Sequence, residues 1–148
     1  MQDQFFILLN VFIALILAGA IGYEREMASK PAGFRTNMMV GGIACLLFSL
    51  GEIIIERYSA SFYHDFMRMD LIRIVEAVVV GISFIGAGTI LKSPDSEKIF
   101  YLTTAATILF SATVGIAIAL NLYVVGVGIT LIVLVINTII RHMDKRLK

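Results

Sequence analysis

The chain has 148 residues, of which 59% are hydrophobic and 16% charged, with a formal net charge of +1 and a mean hydropathy of +0.92. A soluble domain of this length carries far more charge, so that class is excluded. Several apolar runs reach or pass about 18 residues, the length that marks membrane helices, and nothing is left over for a separate soluble domain.

From the amino end, the first expected span covers residues 5–23. Its flank, Gln2-Asp3-Gln4, lacks the Lys or Arg of a signal peptide, so the segment is expected to remain as a helix. A charged hinge follows, with Glu24, Arg25, Glu26, Lys30 and Arg35 interleaved with Pro31 and Gly33. Mixed signs around Pro and Gly exceed what a solvated turn needs, and this hinge is the segment expected to carry function. Span two covers 37–55 and includes the lone cysteine, Cys45. One cysteine excludes an internal disulfide and a cysteine-based zinc site, and packing as a small buried side chain is expected.

The polar segment 56–70 places Tyr58, Phe62 and Phe66 at helical spacing. It reads as an amphipathic turn on the outer membrane surface, or else as a lid over an outward vestibule. Span three covers 71–91, a hydrophilic loop 92–98, and span four 99–120. Asn121 must make a very tight turn into span five, 122–140, before the basic tail 141–148. The expected fold is therefore all-α, a single domain over 1–148 made of five transmembrane helices.

Orientation follows from the cations. One side holds Arg25, Lys30, Arg35, Lys92, Lys98, Arg141, Lys145, Arg146 and Lys148; the other holds Arg57, Arg68 and Arg73. Nine against three places the hinge and the tail in the cytoplasm and the N-terminus outside. A weak internal repeat relates spans one and two to spans three and four. Gly19-Ala-Ile-Gly22 precedes Arg35-Thr36 much as Gly86-Ala-Gly88 precedes Thr103-Thr104. It would be a parallel repeat about the membrane normal, with chance as the competing account.

Three groups could carry chemistry. Glu52, Arg73 and Glu76 fall within apolar spans, where a central charge costs at least about 2.5–3.5 kcal/mol. An ion pair of Arg73 with Glu52 or Glu76 is one account, and a cation or proton site in an outer cavity is the other. Thr103, Thr107, Ser111 and Gly115 recur every fourth residue on span four, with Thr104 alongside. They serve either interhelical hydrogen bonds or a polar pathway. Gly19, Gly22, Gly81, Gly86 and Gly88 suit close helix packing. The run Gly81-Ile-Ser-Phe-Ile-Gly-Ala-Gly88 is no dinucleotide loop, because it sits in a span rather than between a strand and a helix. His64 and His142 fall on opposite sides, so no transition-metal pair forms. Glu52, Glu56 and Asp70 specify no magnesium site, and no nucleophile has an adjacent base.

The hinge pattern G-x-x-x-x-E-R-E then K-x-A-G-x-R-T, the F-I-G-A-G of span three and the L-T-T-A-A-T of span four, in this order, resemble the transmembrane domain of the MgtC/SapB family of bacterial inner-membrane proteins. The resemblance covers about residues 15–120. It implies five helices, an outside N-terminus and a plasma-membrane location, with roles in growth at low magnesium and in pathogen survival inside host cells. It also implies contact with membrane partners such as ATP synthase rather than transport. The family's marked positions fall on Glu24, Arg25, Glu26, Lys30, Gly33, Arg35, Thr36, Arg73, Gly81, Phe84, Gly86, Gly88, Thr103 and Thr104. Departures are Phe100-Tyr101, where members often carry Arg-Gly, Ala77 for a common glutamine, and Ser83 for a usual glycine. Many members continue into a soluble domain; this sequence ends at Lys148, so regulation through one is not expected.

The expected function is a non-enzymatic membrane factor supporting magnesium or ion homeostasis, self-associating as a homodimer in the bilayer. No cofactor beyond a weak magnesium contact and no nucleic-acid partner is expected. The alternative is a small ion transporter or channel with a polar route along spans three and four.

Overall fold

The computed structural model describes residues 2–59, 67–92 and 99–146. Five helices follow in order: α1 (Gln2–Met27), α2 (Phe34–Ser59), α3 (Met67–Thr89), α4 (Leu102–Ala119) and α5 (Tyr123–Arg146). A two-residue antiparallel pair, β1 (Leu91–Lys92) with β2 (Ile99–Phe100), closes the link from α3 to α4. The lid reading of 56–70 falls mostly on residues outside those described, as does His64. The fold is otherwise the expected all-helical membrane bundle. Four stretches are long and apolar enough to cross a bilayer: Gln4–Met27, Phe34–Arg57, Ile72–Thr89 and Leu102–Ala119. The apolar part of α5, Tyr123–Ile139, is shorter.

The helix ends depart from the hydropathy boundaries, and the backbone shows why. Helix α1 does not stop at Tyr23 but runs through Glu24, Arg25 and Glu26 to Met27. There Ser29 takes a left-handed conformation (φ 54°), the Ser29 N–H donates to Glu26 O and the Lys30 N–H donates to Arg25 O, both at 3.0 Å. That crossed pair of bonds ends a helix by satisfying its last carbonyls, with Pro31 just beyond to prevent continuation. The same device makes the tight turn expected at Asn121. Its φ is 60°, and the Asn121 and Leu122 N–H groups donate to Ile118 O and Ala117 O at 2.9 Å. Asparagine tolerates this conformation, which is why one polar residue suffices.

Helix α4 is the centre of the bundle and packs on all four others. Two apolar clusters flank it. One joins Ala14 and Ile21 of α1, Cys45 and Phe48 of α2 and Val133 of α5 to Val114 and Ile118. The other joins Val40 and Ala44 of α2 and Val78 and Ile82 of α3 to Ile108 and Ala112. In lipid, apolar burial gives helices little reason to associate, so close backbone approach matters more. The tightest approach is between α2 and α4. A Cβ on Gly115 would collide with the Gly41 carbonyl oxygen and lie 3.1 Å from Ala44 Cβ.

Consecutive helices alternate in direction. Asn10 near the start of α1 meets Asn121 and Tyr123 at the α4–α5 turn. Arg25 at the other end of α1 meets Thr104 at the start of α4. Gly115→Ala should therefore destabilise the bundle by about 1–3 kcal/mol, because rigid backbone opposes the added methyl. Gly88→Ala, with nothing within 4 Å of the added carbon, should leave the unfolding midpoint of the detergent-solubilised protein unchanged. Thermal denaturation of both variants beside the parent checks the contrast.

Candidate functional site

The polar residues of the hinge converge with the start of α4. The last turns of α1 bring Arg25 into the interior, where it is only 6% exposed. Its Nη2 donates to Thr104 Oγ1 at 2.5 Å. One turn into α2, Asn37 is fully buried. Its Nδ2 donates to the carbonyl oxygens of Ala32 and Gly33, and its Oδ1 accepts a bond from Ser111 Oγ at 2.8 Å. A single amide thus fixes the loop before α2 and ties α2 to α4. Loop 28–33 is bent again by Ala32 (φ 54°), and the carbonyls held by Asn37 keep that bend in place.

Glycine makes the geometry possible. A Cβ on Gly22 would lie 2.6 Å from Gly33 O and 2.9 Å from Asn37 Cβ, so only glycine lets the start of α2 press onto α1 here. Glu26 is exposed, and its Oε2 accepts the Phe34 N–H at 2.8 Å. It serves α2 as a cap, meeting one of the free amide groups at a helix start. Lys30, Arg35 and Thr36 are exposed, and Gly33 is partly buried against the Glu26 carboxylate. The expected hinge is therefore two helix ends and a six-residue loop, with Arg25 turned inward and Lys30 and Arg35 turned outward.

The hydroxyls of α4 divide in the same way. Thr104, Thr107 and Ser111 are buried and Thr103 is exposed. Thr104 accepts from Arg25, Ser111 donates to Asn37, and Thr107 donates back to Thr103 O at 2.8 Å. Below them Gly115 meets Gly41, so the stripe faces protein from Thr107 to Gly115, while its first member, Thr103, does not. Three buried side-chain atoms among the described residues stay without hydrogen-bond partners: Asn137 Nδ2 on α5, and at this site Arg25 Nε and Glu24 Oε2. The last two belong to opposite charges on adjacent residues.

The charges of the outer half lie elsewhere. Glu52, Arg73 and Glu76 are exposed, and no ion pair joins them among the described residues. Gly19 is buried under the Phe34 ring and Gly86 lies beside Ala105, whereas Gly81 and Gly88 are exposed with nothing within 4 Å. The described residues bring together no group of three or more His, Cys, Asp or Glu able to hold a metal.

Two polar clusters escape a reading built on charges and hydroxyls. One is Asn37 itself. The other is Asn10, whose Nδ2 donates to Asn121 Oδ1 at 3.0 Å while Tyr123 OH donates to Asn10 Oδ1 at 2.9 Å. The signal was available: an amide inside or at the edge of an apolar run must find a partner in the bundle.

A family model described as MgtC family matches residues 11–146. Among curated proteins, the chain is 34% identical over 142 residues to YhiD of Escherichia coli K12, described as a candidate magnesium transporter, covering 95% of this chain and 63% of that protein. It is 35% identical over 117 residues to SapB of Bacillus subtilis, covering 79% and 49%. It is 31% identical over 140 residues to MgtC of Salmonella typhimurium, covering 95% and 54%. The chain thus spans between about half and 63% of the length of these relatives. No solved structure matches it significantly.

The Asn37 bridge sets an energetic expectation. Asn37→Ala strands the Ser111 hydroxyl and two carbonyls and should cost about 1–3 kcal/mol, against about 0.5–1.5 kcal/mol for Ser111→Ala. Their double variant should lose less than the sum, since both remove one shared bond. Unfolding midpoints of the four proteins in detergent provide the cycle.

Proposed function

This chain belongs to the MgtC family, and from that premise we propose that it supports magnesium homeostasis in a bacterial plasma membrane as a non-enzymatic factor acting through contacts with other membrane proteins. The magnesium part of the reading rests on its relatives, of which YhiD is described as a candidate magnesium transporter. The contact part rests on one observation: Arg25, Asn37 and the buried hydroxyls of α4 are bonded within the bundle, while Lys30, Arg35, Arg73 and Glu76 are presented outward. Arg25–Thr104 and Asn37–Ser111 lock α1, α2 and α4 together. Lys30 and Arg35 are exposed at the hinge, and Arg73, Glu76 and Phe84 are exposed on α3. Such a distribution suits a rigid scaffold whose outer faces meet partners, a second copy of the chain included.

A transport route along α3 and α4 would require Thr104, Thr107 and Ser111 to leave their present partners. Reconstituted liposomes holding a magnesium-sensitive dye distinguish the two readings. Magnesium entry should not exceed that of protein-free vesicles; protein-dependent entry that is lost in Thr107→Val would overturn the contact reading. In cells, Arg35→Ala should insert at the parental level yet fail to support growth at low magnesium. Growth equal to the parent would remove the hinge from the mechanism.

A further inference from the structure

Helix α3 is the least buried of the four spans long enough to cross a bilayer. Its packed side carries Val78, Ile82 and Gly86, one turn apart. Val78 and Ile82 join the cluster with α2 and α4, and Gly86 lies beside Ala105. On the opposite side Arg73, Glu76, Ala77, Val80, Phe84 and Ala87 are exposed. Val80 is 68% and Phe84 82% exposed, although both lie well inside the span. Gly81 borders this face, with nothing within 4 Å of an added Cβ. Arg73 and Glu76 have no ion-pair or hydrogen-bond partner among the described residues.

We propose that this face seats the α3 of a second copy of the chain, in a parallel two-fold pair where each Arg73 binds the Glu76 carboxylate of the other copy. This rests on the contact reading above and deepens it by naming one partner and the surface that meets it. Charge order selects the occupant. At about 100° per residue, Arg73 and Glu76 stand about 60° apart around the helix, with Val80 and Ala87 between them in projection. Two copies inserted in the same sense hold α3 at equal depth, related by a two-fold axis along the membrane normal. With Val80 and Ala87 on that axis, the rotation sets the Arg73 flank of each helix against the Glu76 flank of the other. The paired residues are offset by about 4.5 Å along the helix, which a long arginine side chain spans. A second copy therefore answers both charges at once. A lipid phosphate would answer Arg73 alone and leave Glu76, one turn deeper, bare in hydrocarbon, where a carboxylate is costly. The small side chains of Ala87, Ala77 and Gly81 let the two backbones approach closely enough for these pairs to form.

Cysteine crosslinking in membranes tests this. Under oxidant, Val80→Cys should yield a disulfide-linked dimer about tenfold above Ile132→Cys, because a position on the axis brings two copies within bridging distance. Ile132 is also exposed, but on α5, and the buried Cys45 is common to both variants. Charge variants then separate pairing between copies from pairing within one helix. In the Val80→Cys background, Arg73→Glu alone and Glu76→Arg alone each set like charges across the axis. Crosslinking of either should fall about tenfold, the scale of interhelical polar contacts in lipid. Co-expressed under different tags, the two should form mixed dimers at the parental yield, since two acids on one helix then meet two arginines on the other. That recovery also shows both variants to be folded. Val80→Cys crosslinking no better than Ile132→Cys would overturn the proposal. So would single charge variants that pair like the parent, or no gain on mixing. Any of these results, beside liposomes that admit no magnesium, would sink this interface and leave the broader contact reading standing.

Discussion

The contact on which the rest depends is the meeting of α2 and α4 at Gly41 and Gly115. Lipid surrounds the bundle, so burying Leu or Ile there gains little over leaving it in acyl chains. What brings two helices together is dense packing and hydrogen bonds that lipid cannot supply. The missing side chain at Gly115 lets the α4 backbone meet the Gly41 carbonyl, and the one at Gly41 makes room for Ala18 of α1. One turn towards the hinge, the same two helices exchange the Ser111–Asn37 bond. Farther still, Arg25 of α1 reaches Thr104. Helix α4 is thus gripped along one face by α1 and α2, and α3 and α5 also pack on it.

The hinge belongs to this grip rather than standing apart from it. Its unusual composition divides into structural parts with separate physical reasons. Ser29 and Pro31 end α1, Glu26 caps α2, Gly22 permits the crossing, and Asn37 holds the bent loop. Ser29 and Ala32 both adopt left-handed conformations that glycine would take more readily. Each such residue costs about 1–2 kcal/mol in isolation. The surrounding bonds must over-determine the loop for that to be tolerated, a pattern found where a segment is held for a purpose. Tyr101, at φ 70° before α4, is a third case. It stands where the resemblance places a glycine, which gives that glycine a backbone reason.

Helix number and order were legible because apolar runs and tight polar breaks are strong signals in a membrane chain. Helix ends were not, since a helix continues past the bilayer wherever its carbonyls are satisfied, and Glu24–Met27 look polar whether coiled or helical. The i, i+4 spacing of Thr107 and Ser111 correctly gave one face, but spacing does not say which face turns inward. For the same reason Gly86 and Gly88 read alike, and only rotation of α3 separates a packed glycine from an exposed one. The inward turn of Arg25 was hidden because every neighbouring charge invites the assumption of solvent. Asn37 was missed because an amide at the edge of an apolar run reads as the end of a loop.

That rotation of α3 bears on what the outside of the molecule requires. Helix α3 packs mainly on α2 and α4, leaving Arg73, Glu76, Gly81 and Phe84 outward. Arg73 lies within two turns of the helix start, and its long side chain can extend to the interface. Glu76 sits about one turn deeper with a shorter side chain, so the same escape is less available to it. A carboxylate held in hydrocarbon is expensive unless it is neutralised or bonded. Asn37, Ser111 and Thr104 have partners within the chain, whereas Glu76 has none among the described residues. A second protein surface carrying a cation or a hydrogen-bond donor at that depth would relieve the cost. The same logic that closes the bundle around Asn37 therefore leaves α3 as the face with the most to gain from contact.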